Sequence, residues 1–169
     1  MIDDQDRARR ELVARLRQLA SDVRRLTAGF DDLTLRRRTV AEQWSLIELV
    51  CHLRVVQQLF EGRIDAMLER DAPAFDSYAP ENDATFATLI ASHPGHEEVQ
   101  RFLADRDRFT RRLETLTPDQ WQRIGRHPTF GIFEIQFLVE YMAHHEAHHV
   151  YQMFTRRVPF VRGEKMVNE

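Results

Sequence analysis

Four segments of the chain repeat apolar side chains at alternating spacings of three and four, and that period restricts the fold to packed amphipathic helices. The first stripe is Leu12, Leu16, Leu19, Val23, Leu26 and Phe30, which predicts a helix over about residues 4 to 28. A second helix is expected from Ser45 to about Arg70. Ser45-Leu46-Ile47-Glu48 is a capping-box pattern, in which the serine oxygen accepts from the N–H at 48 while the carboxylate reaches back to the N–H at 45. Trp44, just before the cap, is placed to pack onto Leu49. The stripe of this helix is Leu49, His52, Val56 and Leu59, so an imidazole stands where the period calls for an apolar residue. A third helix, about 95 to 116, carries Val99, Phe102, Arg106, Phe109, Leu113 and Leu116. A fourth, about Gly131 to Arg156, carries Ile135, Leu138 and Met142 before its stripe turns polar.

The intervening segments read as connections. Residues 71 to 94 hold three prolines and the scattered aromatics Phe75, Tyr78 and Phe86, with a short helix expected over 82 to 91. Thr117-Pro118-Asp119-Gln120 is a cap, a first-turn proline and early polar residues, starting one helical turn that ends near Gly125. His127-Pro128 then forbids a continuous helix. With 169 residues and six Gly and six Pro, the chain fits a single bundle domain over 1–169 with a short mixed tail from 157, and not a many-turned β fold.

Charge and composition exclude several function classes. Lys and Arg number 24 against 27 Asp and Glu, for a net charge of -3, so no global positive field draws in nucleic acid or an anionic membrane. No run approaches the ~18 apolar residues of a membrane span. The lone Cys51 precludes an intramolecular disulfide, and the charged start lacks a signal peptide's apolar stretch, so a cytoplasmic location is expected.

Four of the eight histidines fall between 144 and 149, on the fourth helix. Residues four apart share a helix face, so two imidazoles at that spacing can reach one metal ion. Both His144/His148 and His145/His149 satisfy this, pointing about 100° apart. The stripe 135, 138, 142 leads into 145 and 149, whereas Phe133, Phe137 and Tyr141 lead into 144 and 148; the periodicity leaves both pairs open. A third ligand from another helix would complete a three-histidine site with room for water or substrate, and His52 is the candidate. It meets the fourth helix only if the second and fourth run antiparallel. The 71 to 94 connection is long enough to provide the required crossover, spanning the ~37 Å of a 25-residue helix at about 3.3 Å per residue.

Trp44-Ser45-x-x-Glu48-x-x-x-His52-Leu53 and His145-Glu146-Ala147-His148-His149-x-x-Gln152 together resemble the DinB/YfiT-like metalloenzyme superfamily over roughly residues 5 to 155. The resemblance implies an all-α, up-down-down-up four-helix bundle with a long crossover between the second and third helices. It carries metal-ligand roles onto His52, His145 and His149, and implies a homodimer and a bound divalent ion, zinc or nickel. Relatives in that superfamily include bacillithiol S-transferases and mycothiol-dependent maleylpyruvate isomerases. The implied activity is therefore thiol S-transfer to a small electrophile, with a low-molecular-weight thiol as co-substrate, or hydrolysis.

Further candidates surround this set. Glu48, Tyr141 and Glu146 are possible proton-handling groups, although the cap already accounts for Glu48. Gln152 could orient the site or contact a cofactor. Arg106 could hold an anionic ligand or thiolate, or pair with a buried carboxylate and lock the bundle. Cys51 neighbours His52 but points about 100° away and reads as packing. A different class of function also fits the sequence: a non-catalytic dimeric bundle that binds a metal or small ligand in a stress response.

Overall fold

All four stripes form long helices in the structure, a computed structural model that describes residues 4–79 and 83–163. The elements in chain order are α1 (Asp4–Thr27), α2 (Asp32–Arg36), α3 (Leu46–Glu69), α4 (Ala84–Ser92), α5 (Gly95–Glu114), α6 (Pro118–Trp121), β1 (Ile124–His127), β2 (Gly131–Glu134) and α7 (Ile135–Arg162). The long helices α1, α3, α5 and α7 make the bundle.

Helix directions follow from their side-chain contacts. Arg54 of α3 reaches Glu98 and Asp105 of α5, and Asp65 lower on α3 receives Arg112, so these two helices are parallel. Arg9 and Arg15 of α1 bond Gln136 and His144 of α7, and Arg157 bonds the carbonyl of Leu26, so α1 and α7 are parallel as well. Between α3 and α7 the order inverts: His52 faces His145 and His149, whereas Phe60 meets Tyr141. The bundle is thus up-down-down-up, and residues 70–94, including α4, carry the crossover from α3 to α5.

Two apolar clusters fill the bundle. Leu16, Phe60, Phe109, Leu113 and Met142 belong to one, and Leu26, Leu46, Leu53, Phe102 and Met153 to the other. Between them lies a polar layer. Arg106, 1% exposed, forks onto both oxygens of Glu146 at 2.9 and 2.6 Å, donates to Gln57 Oε1 at 2.8 Å and to the Leu16 carbonyl at 3.0 Å. Four helices meet at this one guanidinium. The arginine that interrupts the third stripe is therefore a lock, because its fork geometry satisfies a planar carboxylate that packing has removed from water.

The segment before the last helix differs from the sequence reading. Residues 131–134 form a strand, not the start of a helix, and pair antiparallel with β1 in the register Gly125↔Phe133. Gly131 sits at φ +68° where the hairpin turns back, so it serves the turn and does not start the helix; α7 starts after Glu134 without a side-chain cap. At Gly125 a Cβ would come 2.7 Å from the Phe75 ring, so a side chain here would have to displace that ring. The hairpin also clamps the start of the crossover: Phe75 N–H donates to the Arg126 carbonyl at 2.8 Å, and Arg126 N–H to that of Pro73 at 2.9 Å. At its other end α7 continues through Pro159 to Arg162, past the expected boundary at 156. The short α2 was not anticipated by any stripe.

Removing one partner of a buried pair strands the other charge. Glu146→Ala should lower the unfolding free energy by about 3–5 kcal/mol in urea titration, whereas the double replacement Arg106→Met with Glu146→Leu should recover most of that loss.

Candidate metal centre

The site is assembled between the early turns of α3 and the middle of the antiparallel α7. At the start of α3 the capping box forms as its sequence requires: Ser45 Oγ accepts from Glu48 N–H at 3.3 Å, and Glu48 Oε2 accepts from Ser45 N–H at 2.7 Å. Arg38 also donates to both oxygens of Glu48. The cap fixes where α3 begins, and His52 follows two turns later.

On α7 the stripe Ile135, Leu138 and Met142 is buried, and Phe137 and Tyr141 are partly exposed. This rotation turns His145 and His149 toward α3. His144 and His148 lie on the exposed side, beside Arg15 and Gln152 respectively. The Arg106–Glu146 pair supports the same rotation, since Glu146 lies between the two inward histidines in sequence and points into the polar layer.

His52 Nε2 lies 3.3 Å from His145 Nε2, which lies 3.1 Å from His149 Nε2. One ligand-capable nitrogen from each ring falls within 4.8 Å of the others. Two Zn–N bonds of about 2.0–2.1 Å at a tetrahedral angle separate their nitrogens by about 3.3 Å, so these spacings fit a common divalent cation. The donor set suits zinc and several other first-row ions.

Electrostatics keep these rings in the ligating form. Burial, then the neighbouring His149 and His145, pushes the His52 pKa down to about 3. Burial and the charges of His149 and His148 push His145 down to about 4. His149 is lowered mainly by burial, with Gln152 acting the other way. At neutral pH all three are uncharged, with lone pairs available.

Gln152 has a definite position. Its Oε1 is 2.8 Å from His149 Nδ1, and its Nε2 is 3.0 Å from His148 Nε2. An oxygen facing Nδ1 selects the tautomer with the proton on Nδ1, which leaves Nε2 free to bind a metal. The Nδ1 atoms of His52 and His145 are buried without a hydrogen-bond partner. Aromatic packing orients these rings instead: Trp44 lies 4.8 Å from His52 and Tyr141 6.4 Å from His145, centre to centre.

A pocket of about 460 Å³ opens over the three imidazoles. Trp44, Val56, Leu59, Phe60, Tyr78, Phe130 and Tyr141 supply most of its walls, with Arg63, Ser77, His127 and Thr129 as further polar lining. Neither Glu48 nor Glu146 lines it; their carboxylates are held at the cap and at Arg106. Arg106 is likewise outside it. Cys51 is fully buried, and burial pushes its thiol up to about 12, so it offers no thiolate to the site.

Trp44, Arg63 and His127 line the pocket as well, although none of them stands out in the sequence as a site residue. Trp44 reads as a staple on Leu49 but packs against His52, Phe86 and His149. Arg63 continues the face of His52, Val56 and Leu59, a signal present in the spacing. His127 reads as a loop residue; its approach depends on the hairpin.

The profile of the DinB superfamily matches residues 6–153. An uncharacterized protein of Bacillus subtilis, YuaE, is 24% identical over 137 residues, covering 74% of this chain and 84% of its own length. BH0277 of Halalkalibacterium halodurans, named provisionally as a metal-dependent hydrolase, is 26% identical over 133 residues, covering 78% and 76%. The fold is similar to YfiT of Bacillus subtilis, reported as a probable metal-dependent hydrolase with an unusual four-helix bundle topology. The TM-score is 0.78 at 18% identity, over 98% of this chain and 92% of that one.

The Glu48 cap has a pH signature. Burial raises its pKa, but hydrogen bonds from Arg38 and Ser45 outweigh that and hold it below the ordinary value. The folded state therefore binds fewer protons here than the unfolded chain. The contribution is complete above the ordinary glutamate pKa of about 4.3 and is lost as pH falls through the lowered folded value. In denaturant titrations, Glu48→Gln should be less stable than wild type at pH 7, and the gap should narrow on acidification below about pH 4.

Proposed function

For this chain, which belongs to the DinB superfamily, we propose a divalent-metal-dependent hydrolase in which His52, His145 and His149 hold the ion. The observation that carries the reading is the pocket on the open side of the three nitrogens. A purely structural ion is closed off by a fourth protein ligand, whereas three ligands facing a cavity leave a position for exchangeable chemistry. Among the described residues, no further His, Cys, Asp or Glu joins the cluster.

His52, His145 and His149 would hold the divalent ion, which would supply Lewis acidity to a hydrolytic reaction at the open side of the site. Gln152 sets the tautomer of His149 and so acts through it as a positioning residue. Trp44, Phe60 and Phe130 exclude bulk water from one side of the cavity, which strengthens polar interactions within it. Tyr141, stacked beside His145, and His127 stand in the pocket wall as groups that exchange a proton with substrate in this reading. His127 Nδ1 accepts from the Thr129 N–H at 3.1 Å, which assigns the proton of the neutral ring to Nε2. Thiol S-transfer is the second use of the same open position; its thiol must come from a separate small molecule, because Cys51 is buried.

Metal analysis of untagged protein purified without chelators should find close to one divalent ion per chain. His52→Ala and His149→Ala should abolish it and His144→Ala should not. Gln152→Leu should retain the site but weaken affinity about 10- to 100-fold in a competitive chelator titration. Metal-dependent turnover of activated esters, lost on chelation and restored by the ion, would support hydrolysis. Stoichiometric ion without solvent exchange or turnover would instead favour the non-catalytic bundle.

A further inference from the structure

The pocket has a charged group at the end away from the histidines. Arg63 follows His52 by eleven positions on α3, which at about 100° per residue brings it back within about 20° of the same face, about 16 Å further along the axis. Helical side chains lean toward the helix N-terminus. The guanidinium carbon accordingly lies 5.7 Å from the centre of the Phe60 ring, one turn back toward His52, and 5.5 Å from that of Phe75. Arg63 is 8% exposed and lines the pocket.

Its partners distinguish it from the other arginines held within the bundle. Half-buried Arg54 bonds two carboxylates, buried Arg106 bonds Glu146 through both oxygens, and buried Arg9 pairs with Asp6 at 3.5 Å. Arg63 donates to the backbone carbonyl of Asp76, and among the described residues no carboxylate forms an ion pair with it. Burial is the largest influence on it and disfavours its charge, with Tyr141 and Asp76 opposing. A guanidinium carries five N–H donors and does not deprotonate in proteins, so a largely buried charge, with donors beyond its bond to Asp76, lines the cavity.

We infer that Arg63 receives the carboxylate of an organic-acid substrate whose apolar body spans the pocket and whose reacting end lies at the three histidines. This deepens the hydrolase reading and rests on it for the position of the reacting end. A carboxylate, and not a phosphate, suits the site because Arg63 is the only Lys or Arg among the lining residues, so one negative charge balances it. Between the two ends the walls are Val56, Leu59, Phe60, Phe130 and Tyr141, which fit an aryl or alkyl chain.

Calorimetric titration tests this with 3-phenylpropionate, its neutral amide and phenyl phosphate, on protein as purified and after chelator treatment. The acid should bind about 10- to 100-fold more tightly than the amide in both preparations, the range expected of a charge-assisted contact. Arg63→Gln should erase that preference, and Arg63→Lys should keep part of it, with unchanged circular dichroism. The acid-to-amide comparison in the wild type stands even where a variant folds poorly. Equal binding of acid and amide, no binding of the acid at about 10 mM, or an unchanged preference in Arg63→Gln would overturn the assignment. A preference for phenyl phosphate, or one that disappears on chelation, would also overturn it, the latter placing the carboxylate on the ion. Because the chelated arm contains no ion, failure here is distinct from failure of the metal-site reading.

Discussion

Because α3 and α5 run in the same direction, α7 has to run against α3, and that antiparallel approach brings His52 opposite His145 and His149. A bundle with short connections throughout would make the second and fourth long helices parallel. The early histidine of α3 would then stand beside the start of α7, several turns from the others. The 70–94 segment avoids this by carrying the chain back along the bundle before α5 begins. It also contributes Ser77 and Tyr78 to the pocket wall, so the segment that sets the topology also shapes the cavity.

Antiparallel direction alone does not choose between the two histidine pairs of α7; rotation about the helix axis does. The buried stripe of Ile135, Leu138 and Met142 supplies the nonspecific part of that choice, through apolar area removed from water. Glu146 supplies the specific part, since its carboxylate meets Arg106 only in one rotational setting, with His145 and His149 on the α3 side. A buried ion pair adds little net stability compared with an apolar substitute, yet breaking it is costly, so its effect is to penalise the wrong arrangement. The pair that locks the core is thereby one helical step from the candidate metal ligands.

Much of this was legible in the sequence because helices write their buried face into spacing. The four long helices, the Ser45–Glu48 cap and the crossover all follow from periods, caps and the length of one connection. The β1–β2 hairpin did not, because two four-residue strands carry too few positions to show a period of two, and Gly131 fits a helix start as readily as a turn. Periodicity alone left the choice between the histidine pairs open for a related reason, and only the family resemblance pointed to His145 and His149: two stripes run into that segment, and Phe133 of the rival one belongs to the hairpin. Arg106 was visible as an interruption, but its carboxylate partner lies forty positions away on α7. Trp44 and His127 join the pocket through contacts between elements distant in sequence, which no local pattern records.

In the proposed centre, three imidazole Nε2 atoms hold one divalent ion and leave its remaining coordination open to the pocket. X-ray absorption spectroscopy on zinc-loaded protein tests it most directly. The spectrum should show a first shell containing three imidazole nitrogens at about 2.0–2.1 Å together with light-atom ligands that change when a small anion is added. A sulfur scatterer in the first shell, a fourth histidine, or a shell unaffected by His52→Ala would contradict it.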